Sequence, residues 1–214
     1  MKKLALVFAV GLVSAVLAGP FGVNLVTNPG AETGDMSGWT IVQNGGSGWA
    51  AIDTSYYGNP HSGSYCFGTS YDWDTRYQVI NLLTAGFTAA ELDSAPPVVF
   101  QEYTQSRPDA GCSYFIRFEL RNGAGNVMAF WEHGTQYNPV VLPAGVPWFA
   151  ESHTFTGYGP GLRYLAIIDG GKDNVSWGGW YGAYFDDASA MLVPEPASLA
   201  LLGLAWGLLL LKRR

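Results

Sequence analysis

The stretch Ser-Tyr-Phe-Ile-Arg-Phe-Glu-Leu-Arg at residues 113–121 alternates apolar and charged side chains. One set of alternate positions holds Tyr114, Ile116, Phe118 and Leu120, and the other is mostly charged, with Arg117, Glu119 and Arg121. Successive side chains of a β-strand point to opposite faces, so this period of two predicts a strand with one face buried and the other in water. A helix would instead need apolar residues three and four positions apart.

Four other stretches predict strands, with turn-forming residues beside them. The strands are predicted at residues 98–103, 149–155, 162–168 and 184–192. The turn signals are Pro96-Pro97, Arg107-Pro108-Asp109, Gly157 to Gly161 and Asp169-Gly170-Gly171. Thr88-Ala89-Ala90-Glu91 has the capping-box pattern of a short helix. Many short strands without long alternating helices predict an all-β, antiparallel β-sandwich and exclude a doubly wound α/β fold.

The composition of residues 19–193, the expected single folding unit, supports this prediction. The unit keeps 25 of the 28 glycines, seven of the eight tryptophans and all twelve tyrosines. A glycine share of about 14% is twice the usual one and, with so many aromatics, indicates turn-rich β-structure.

Six basic and sixteen acidic residues give the unit a net charge of −10. This charge argues against nucleic acid or an anionic membrane surface as partner, because both attract clustered positive charge.

The N-terminus predicts a secretory signal peptide at residues 1–18. Met1-Lys2-Lys3 precedes an apolar run from Leu4 to Ala18. A charged start, a short apolar core and a small residue at the exit are the three parts of such a signal, so cleavage is expected after Ala18. A buried first helix is the alternative, but it explains neither lysine.

The C-terminus, residues 194–214, has three parts in a fixed order. Pro194-Glu195-Pro196 leads into the apolar run 197–211, which ends in Lys212-Arg213-Arg214. This order resembles the PEP-CTERM sorting signal of Gram-negative bacteria. The resemblance implies processing by an exosortase, with residues 197–211 held transiently in the inner membrane as a hydrophobic sorting helix. Delivery to the cell surface or the extracellular polysaccharide matrix would follow; a permanent single-span anchor is the alternative.

Two cysteines, Cys66 and Cys112, allow one disulfide bond in an exported chain. Both lie in apolar, strand-like runs, where a free cysteine also packs well. The disulfide and two buried thiols therefore both remain open.

Several segments carry a resemblance to a known family. They are 24–32, 78–82, 107–112, 152–164, 170–173 and 177–182. In this order they resemble the F-box-associated (FBA) domain, a galactose-binding-like jelly-roll sandwich, over almost all of residues 24–192. The resemblance includes no F-box, so it does not imply a role in ubiquitin ligation.

The FBA resemblance also implies a position for a binding site. FBA domains that recognise N-glycans hold the chitobiose core with loops at one end of the sandwich, and their last loop has consecutive Tyr, Trp and Lys. The matching residues are Ser176, Trp177 and Gly178, so only the tryptophan is kept. Another family loop places an aromatic side chain near Tyr71. The resemblance implies a glycan or glycoprotein site at these loops but does not name the sugar.

The residues around Trp177 suit a sugar on chemical grounds as well. A sugar ring offers an apolar patch of C–H groups and a rim of hydroxyls, which call for a flat aromatic ring and for fixed donors and acceptors. Polar side chains near Trp177 are Lys172, Asp173, Asn174 and Ser176. Trp177 is either an exposed ring on which a sugar can lie or a core residue, and both alternatives stay open. Trp180 and Tyr181 are expected in the core.

Two structural alternatives apply to the other candidate residues. In a strand, Tyr71 would share the buried face of Trp73 and Asp72 would point out, whereas a loop would free all three. Lys172 and Asp173 either bind hydroxyls or form a turn capped by the Asp side chain.

A structural Ca²⁺ ion is the one cofactor to weigh. Glu32 near the first strand and Asp186 and Asp187 near the last resemble positions that hold Ca²⁺ in bacterial carbohydrate-binding modules of the same general fold. The ion takes six to eight oxygen ligands. Ordinary surface carboxylates of an acidic protein are the alternative.

Enzymatic motifs do not stand out. The chain has no Gly-x-Ser-x-Gly elbow, no His-Glu-x-x-His and no glycine-rich phosphate loop. We therefore expect an exported, non-catalytic carbohydrate-binding protein. The alternative is a structural protein of the extracellular matrix or biofilm that binds no sugar.

Overall fold

The structure, a computed structural model, describes residues 19–56 and 59–194, which form two packed antiparallel sheets. In chain order the strands are β1 Thr40–Asn44, β2 Ala50–Ile52, β3 Cys66–Gly68, β4 Asp74–Asn81, β5 Val98–Gln105, β6 Cys112–Asn122, β7 Val127–His133, β8 Val140–Leu142, β9 Phe149–Phe155, β10 Leu162–Asp173 and β11 Tyr184–Leu192. The six-stranded sheet has the order β1-β4-β10-β6-β7, with β8 also paired to β6, and the five-stranded sheet has the order β2-β3-β11-β5-β9. The predicted all-β sandwich is confirmed.

Strand β10 differs from its prediction because it continues through Gly170 and Gly171 to Asp173. A Cβ atom at Gly170 would lie 2.6 Å from the backbone oxygen of Asp74, and one at Gly171 would lie 2.8 Å from the Cβ of Ala183. The two glycines therefore allow neighbouring chains to approach closely within the sandwich. The prediction of a turn here was wrong.

Strand β6 is more deeply buried than the half-buried strand expected from its alternation. Glu119, on the outward face, is only 4% exposed. Its carboxylate accepts hydrogen bonds of 2.6 Å from Arg117 and from Arg121, whose side chains flank it on the same strand. The charged face of β6 is therefore a connected ion network.

The short helix α1, Ala89–Asp93, confirms the capping-box prediction. The Thr88 hydroxyl accepts a hydrogen bond from the backbone N–H of Glu91, and the Glu91 carboxylate accepts one from the backbone N–H of Thr88. This reciprocal pair satisfies two helix-terminal donors.

The core between the sheets contains a fully buried arginine that the hydrophobic pattern does not predict. The Arg76 guanidinium lies 3.7 Å from the ring centre of Trp39 and binds Asp169 at 2.9 Å and Glu102 at 3.0 Å. Burial, together with the negative charge of Asp169, raises the pKa of Glu102 well above its usual range. Arg76 and Asp169 belong to the six-stranded sheet and Glu102 belongs to the five-stranded sheet. The ion pair between Arg76 and Glu102 therefore links the two sheets.

Of the two states left open for the cysteines, the structure has the two buried thiols. Cys66 lies on β3 in the five-stranded sheet and Cys112 on β6 in the six-stranded sheet, and both are free and fully buried. Burial raises the pKa of both thiols, that of Cys112 to about 12.

The predicted signal peptide, residues 1–18, lies outside the described residues, as does nearly all of the predicted sorting segment, residues 194–214. Within the part that the structure describes, no helix has the length and hydropathy needed to cross a membrane.

Candidate functional site

Four loops meet at one end of the sandwich: residues 45–49, 69–73, 106–111 and 174–183. We call them the end-loop cluster. Strand register brings them together, because Asp74 pairs with both Asn44 and Gly171, and Tyr184 pairs with both Gly68 and Gln105. A backbone hydrogen bond from Thr69 N to Ala183 O extends the pairing of β3 with β11, and one from Asp173 N to Ser70 O joins the end of β10 to loop 69–73.

Two serines connect three of these loops. Ser70 Oγ accepts a 2.7 Å hydrogen bond from Ser47 N and donates a 3.0 Å bond to Gly179 O. Gly179 N in turn donates to Ser47 Oγ at 3.1 Å. This closed set of bonds fixes the loop of Tyr71 relative to the loop of Trp177.

The start of the last loop is held by Asp173. Its carboxylate accepts hydrogen bonds from the backbone N–H groups of Val175 at 3.1 Å, Ser176 at 2.6 Å and Trp177 at 3.1 Å. Ser176 has the left-handed backbone angle φ of 58°, which turns the chain outward. Asp173 therefore caps the loop that follows it, in line with the alternative of a turn capped by the Asp side chain. The turn begins only after Asp173, because β10 continues through Gly170 and Gly171.

Trp177 projects from this loop and is 49% exposed. Its ring contacts Tyr181 edge to face, with ring centres 5.4 Å apart and planes at 88°. The guanidinium of buried Arg107 lies 3.9 Å from the Tyr181 ring centre, and the Asp109 carboxylate holds Arg107 by two 2.9 Å hydrogen bonds. Tyr181, Arg107 and Asp109 therefore support one side of the Trp177 ring, while another part of its surface is exposed to water.

Tyr71 lies in a loop, as the second of its two alternatives predicted, and it is 40% exposed. A Cβ atom at Gly46 would lie 2.9 Å from the Tyr71 ring, so this glycine makes room for the tyrosine. Asp72 is exposed, and its carboxylate accepts a bond from its neighbour Trp73 N at 2.8 Å. Trp73 is half-buried.

The remaining predicted residues lie at the same end with different roles. The exposed Asn174 accepts a 2.8 Å hydrogen bond from Ser113 Oγ, the exposed Ser176 forms the loop turn, and Lys172 is half-buried on β10. Trp180 packs against the small core cluster of Ile52, Cys66 and Tyr184 and donates from Nε1 to Gly48 O at 2.8 Å. Tyr181 is only half-buried, so it supports Trp177 at the surface of the sandwich.

Buried Asp74 lies at the base of the end-loop cluster. Its carboxylate accepts a 2.7 Å hydrogen bond from Ser70 N. Burial raises the pKa of Asp74 to about 7, and the hydrogen bonds from backbone N–H groups only partly oppose this rise.

The three predicted calcium ligands are not brought together as one site. Glu32 accepts hydrogen bonds from Ser64 N and Tyr65 N, while Asp186 accepts them from His61 N and Ser62 N. Asp187 binds His61 Nδ1 at 2.6 Å. Among the residues that the structure describes, no group of three or more His, Cys, Asp or Glu side chains is placed to hold a metal ion. The carboxylates fasten residues 61–65 to the sandwich instead.

The sequence patterns did not reveal the supports of Trp177. Arg107 was interpreted as part of a turn signal and Tyr181 as a core residue, and although both lie in segments that resemble the FBA domain, neither was given a role beside Trp177. Their contact depends on the pairing of β5 with β11, which brings loop 106–111 beside loop 174–183. The one available signal was the unusual run of aromatics at residues 177–181.

Comparison with known proteins gives the same fold. TmCBM61, solved in complex with β-1,4-galactotriose, aligns with a TM-score of 0.51 at 16% identity, covering 79% of this chain and 99% of that one. The enzymatically active domain of tailspike protein 4 of bacteriophage CBA120 aligns with a TM-score of 0.52 at 13% identity, covering 80% of this chain and 22% of that one.

Sequence comparison is more specific. F-box only protein 2 of Bos taurus is 33% identical over 177 residues, 80% of this chain and 59% of that protein. F-box only protein 6 of Homo sapiens is 31% identical over 180 residues, with 80% and 59% covered. The chain thus spans about three fifths of the length of these relatives.

Two family descriptions match different parts of the chain. Residues 16–192 match the F-box associated region, FBA, and residues 192–214 match the PEP-CTERM protein-sorting motif. The chain therefore belongs to the FBA family and ends in a PEP-CTERM sorting motif.

Proposed function

We propose that this protein is an exported, non-catalytic carbohydrate-binding protein that holds a glycan or glycoprotein in the end-loop cluster. The supporting observation is the half-exposed Trp177, fixed from behind by Tyr181 and Arg107. A ring that is exposed on one side and immobilised on the other binds the C–H face of a sugar at little entropic cost. The exposure of Tyr71 on the neighbouring loop supports the same conclusion and disfavours a purely structural matrix protein.

The residues beside Trp177 favour an uncharged glycan. Arg107 is neutralised by Asp109, and the lysine of the family motif is replaced by Gly178. Asp72 is a further exposed acid at the same end of the sandwich. An anionic glycan would meet a like charge there.

The proposed domain limits and route follow from the terminal segments. Residues 1–18 act as the signal peptide, residues 19–193 form the binding domain, and residues 194–214 direct processing by an exosortase after transient anchoring through 197–211. The PEP-CTERM match supports this route. Its end point is the cell surface or the extracellular polysaccharide matrix of a Gram-negative bacterium.

The test is binding of the full-length protein to a glycan array, followed by calorimetry on the best oligosaccharide. We expect a dissociation constant between millimolar and micromolar, about −4 to −8 kcal/mol. Trp177→Ala should remove most of this affinity. Tyr137→Ala is the matched control, because Tyr137 is 95% exposed at the turn between β7 and β8 and belongs to none of the four loops of the end-loop cluster. Absence of any glycan ligand, or equal affinity for Trp177→Ala and the unaltered protein, would contradict the proposal.

A further inference from the structure

Residues 19–21 pack tightly against the turn that follows β4. The Phe21 and Phe87 rings meet edge to face, with centres 5.0 Å apart and planes at 88°. Gly19 lies directly against Phe87, since a Cβ atom at Gly19 would be 2.2 Å from the ring. The Phe21 N–H also donates a 2.9 Å hydrogen bond to Gly19 O. These contacts fix the backbone nitrogen of Gly19 without using any residue before it.

The Gly19 nitrogen contacts a carboxylate. Its N–H donates a 3.2 Å hydrogen bond to Glu91 Oε1. The other carboxylate oxygen, Oε2, accepts bonds of 2.8 Å from Thr88 N and 2.7 Å from Thr88 Oγ1. These are bonds of the capping box that begins α1. Glu91 is therefore oriented by its own helix, with Oε1 directed toward Gly19.

The charges around this contact are already paired or absent. The stretches 19–31 and 78–90 contain no ionisable side chain. Asp93, which follows Glu91 on α1, binds Arg163 of β10 at 2.8 Å. Tyr158, from the loop before β10, donates its hydroxyl proton to Pro96 O. A positive charge on the Gly19 nitrogen would therefore have Glu91 as its partner.

Removal of residues 1–18 changes the chemistry of the Gly19 nitrogen. While residue 18 is attached, this nitrogen belongs to an uncharged amide. Hydrolysis of the bond between Ala18 and Gly19 adds one water molecule, which leaves a carboxylate on Ala18 and an amine on Gly19. The amine binds a proton at neutral pH. Its hydrogen bond to Glu91 then joins opposite charges, and such a bond is about twice as strong as a neutral one.

We propose that removal of the signal peptide creates an ion pair between the α-ammonium group of Gly19 and Glu91, which fastens the mature N-terminus to α1. This inference rests on the proposed cleavage after Ala18 and is independent of carbohydrate binding. A larger residue at position 19 would collide with Phe87. One additional residue before Gly19 would turn its ammonium group back into an amide. The contact is therefore specific for a chain that begins at Gly19.

The N-terminal residues also lie beside the point where the sandwich leads into the sorting motif. Gly22 N donates a 2.8 Å hydrogen bond to Leu192 O at the end of β11. Val193 N donates a 2.9 Å bond to Pro97 O, a few residues after α1. The start of the domain, its end and α1 are thus connected. The ion pair adds a charged contact to this network only after processing.

The first test measures the α-ammonium group in the exported protein, residues 19–214, labelled with ¹⁵N-glycine. NMR follows the amine nitrogen of Gly19, whose signal lies apart from the amide signals of the other glycines, as pH rises. The acid dissociation constant of this group should be about threefold smaller in the unaltered protein than in Glu91→Gln, because the carboxylate stabilises the charged form. Gln keeps the capping box of α1, since glutamine also serves at this position.

Asp93→Asn is the matched control for Glu91→Gln. It removes a carboxylate from the same helix, but this carboxylate binds Arg163 instead of Gly19. Asp93→Asn should therefore change the acid dissociation constant by less than about 1.5-fold.

Thermal unfolding gives a second readout that needs no substitution at Glu91. A chain that begins at Ala18 keeps the Gly19 amide and moves the charge one residue away. At pH 7 it should unfold about 1–3 °C below the chain that begins at Gly19. The folded protein holds the ammonium proton more tightly than the unfolded chain, so this stabilisation is lost as pH rises through the pKa of the folded group. The two chains should therefore unfold together at pH 10.

The outcomes separate the ion pair from the processing site and from glycan binding. A smaller constant in the unaltered protein than in Glu91→Gln, with little change in Asp93→Asn, supports the ion pair. Equal constants in the unaltered protein and Glu91→Gln, or the same change in both variants, overturn it and leave the cleavage site intact. If Glu91→Gln does not fold, an unchanged midpoint for the chain that begins at Ala18 overturns it. An intact mass that shows another first residue overturns the ion pair together with the cleavage site, but not binding at Trp177.

Discussion

At the residue scale, the exposure of Trp177 is built into the loop. Three backbone N–H groups bind the Asp173 carboxylate, and Ser176 turns the chain with a positive φ. An indole would otherwise gain free energy by moving into the core, at roughly 25 cal/mol for each Å² of apolar surface that leaves water. The bonds around it oppose that movement, so a costly exposure is maintained where a ligand can use it.

The contact between Tyr181 and Trp177 gives a residue-scale prediction. Tyr181→Leu removes an edge-to-face contact worth about 0.5–1.5 kcal/mol, so the glycan affinity at Trp177 should fall about 2- to 13-fold. Tyr181→Phe keeps the ring and should bind within twofold of the unaltered protein. Calorimetry with the same oligosaccharide measures both variants. Equal affinities for the Leu and Phe variants would show that the Tyr181 ring does not position Trp177.

Sequence reasoning located individual site residues unevenly. The family resemblance made Trp177 and Tyr71 candidates, because loop motifs are read directly from the chain. It could not identify Arg107 as the support of Tyr181, since their contact arises from strand pairing between residues more than 70 positions apart. For the same reason the sequence left a Ca²⁺ site at Glu32, Asp186 and Asp187 open, since their hydrogen-bond partners in residues 61–65 are distant in sequence.

At the element scale, the sequence predicts most strands, but it gives a wrong prediction at two glycines of β10. The bounds of β9 and β11 match the predicted 149–155 and 184–192. Apolar and polar side chains do not alternate strictly in either strand, and turn-forming residues such as Gly157, just after β9, delimit them instead. Gly170 and Gly171 indicated a turn, yet they lie in the middle of a sheet where neighbouring chains leave no room for a side chain. A single sequence does not distinguish a glycine required by backbone conformation from one required by space.

The close approach at Gly170 gives an element-scale prediction. In Gly170→Ala the new methyl group meets the Asp74 backbone oxygen at 2.6 Å, so β10 and β4 must separate. The free energy of unfolding should fall by about 1–3 kcal/mol, as in other overpacked interiors. Gly178→Ala is the control, because no heavy atom lies within 4 Å of its added Cβ, and it should change stability by less than about 0.5 kcal/mol. Urea unfolding measures both, and equal midpoints would contradict the packing role of Gly170.

At the scale of the whole molecule, buried acids determine how stability responds to pH. Burial raises the pKa of Asp74 to about 7, and burial with the nearby Asp187 charge raises that of Asp186 to about 7. In the unfolded chain both groups have the ordinary value of 3.8. Between these limits the folded protein binds more protons than the unfolded chain, so the free energy of unfolding falls as pH rises from about 4 to 7 and levels off above 7.

Asp74→Asn isolates one part of this dependence. The unaltered protein should lose stability between pH 5 and pH 8, and the variant should lose less, because a group that cannot ionise no longer favours the unfolded chain at high pH. Each unit of pKa shift corresponds to about 1.4 kcal/mol, an upper bound if the site admits water when charged. Asp53→Asn is the matched control. Hydrogen bonds from Ser55 lower the pKa of Asp53, so this carboxyl group is ionised in both the folded and the unfolded chain throughout the range. Urea unfolding at pH 5 and pH 8 measures all three proteins. If Asp74→Asn and Asp53→Asn show the same pH dependence, Asp74 is already charged in the folded protein, and the base of the end-loop cluster is open to solvent.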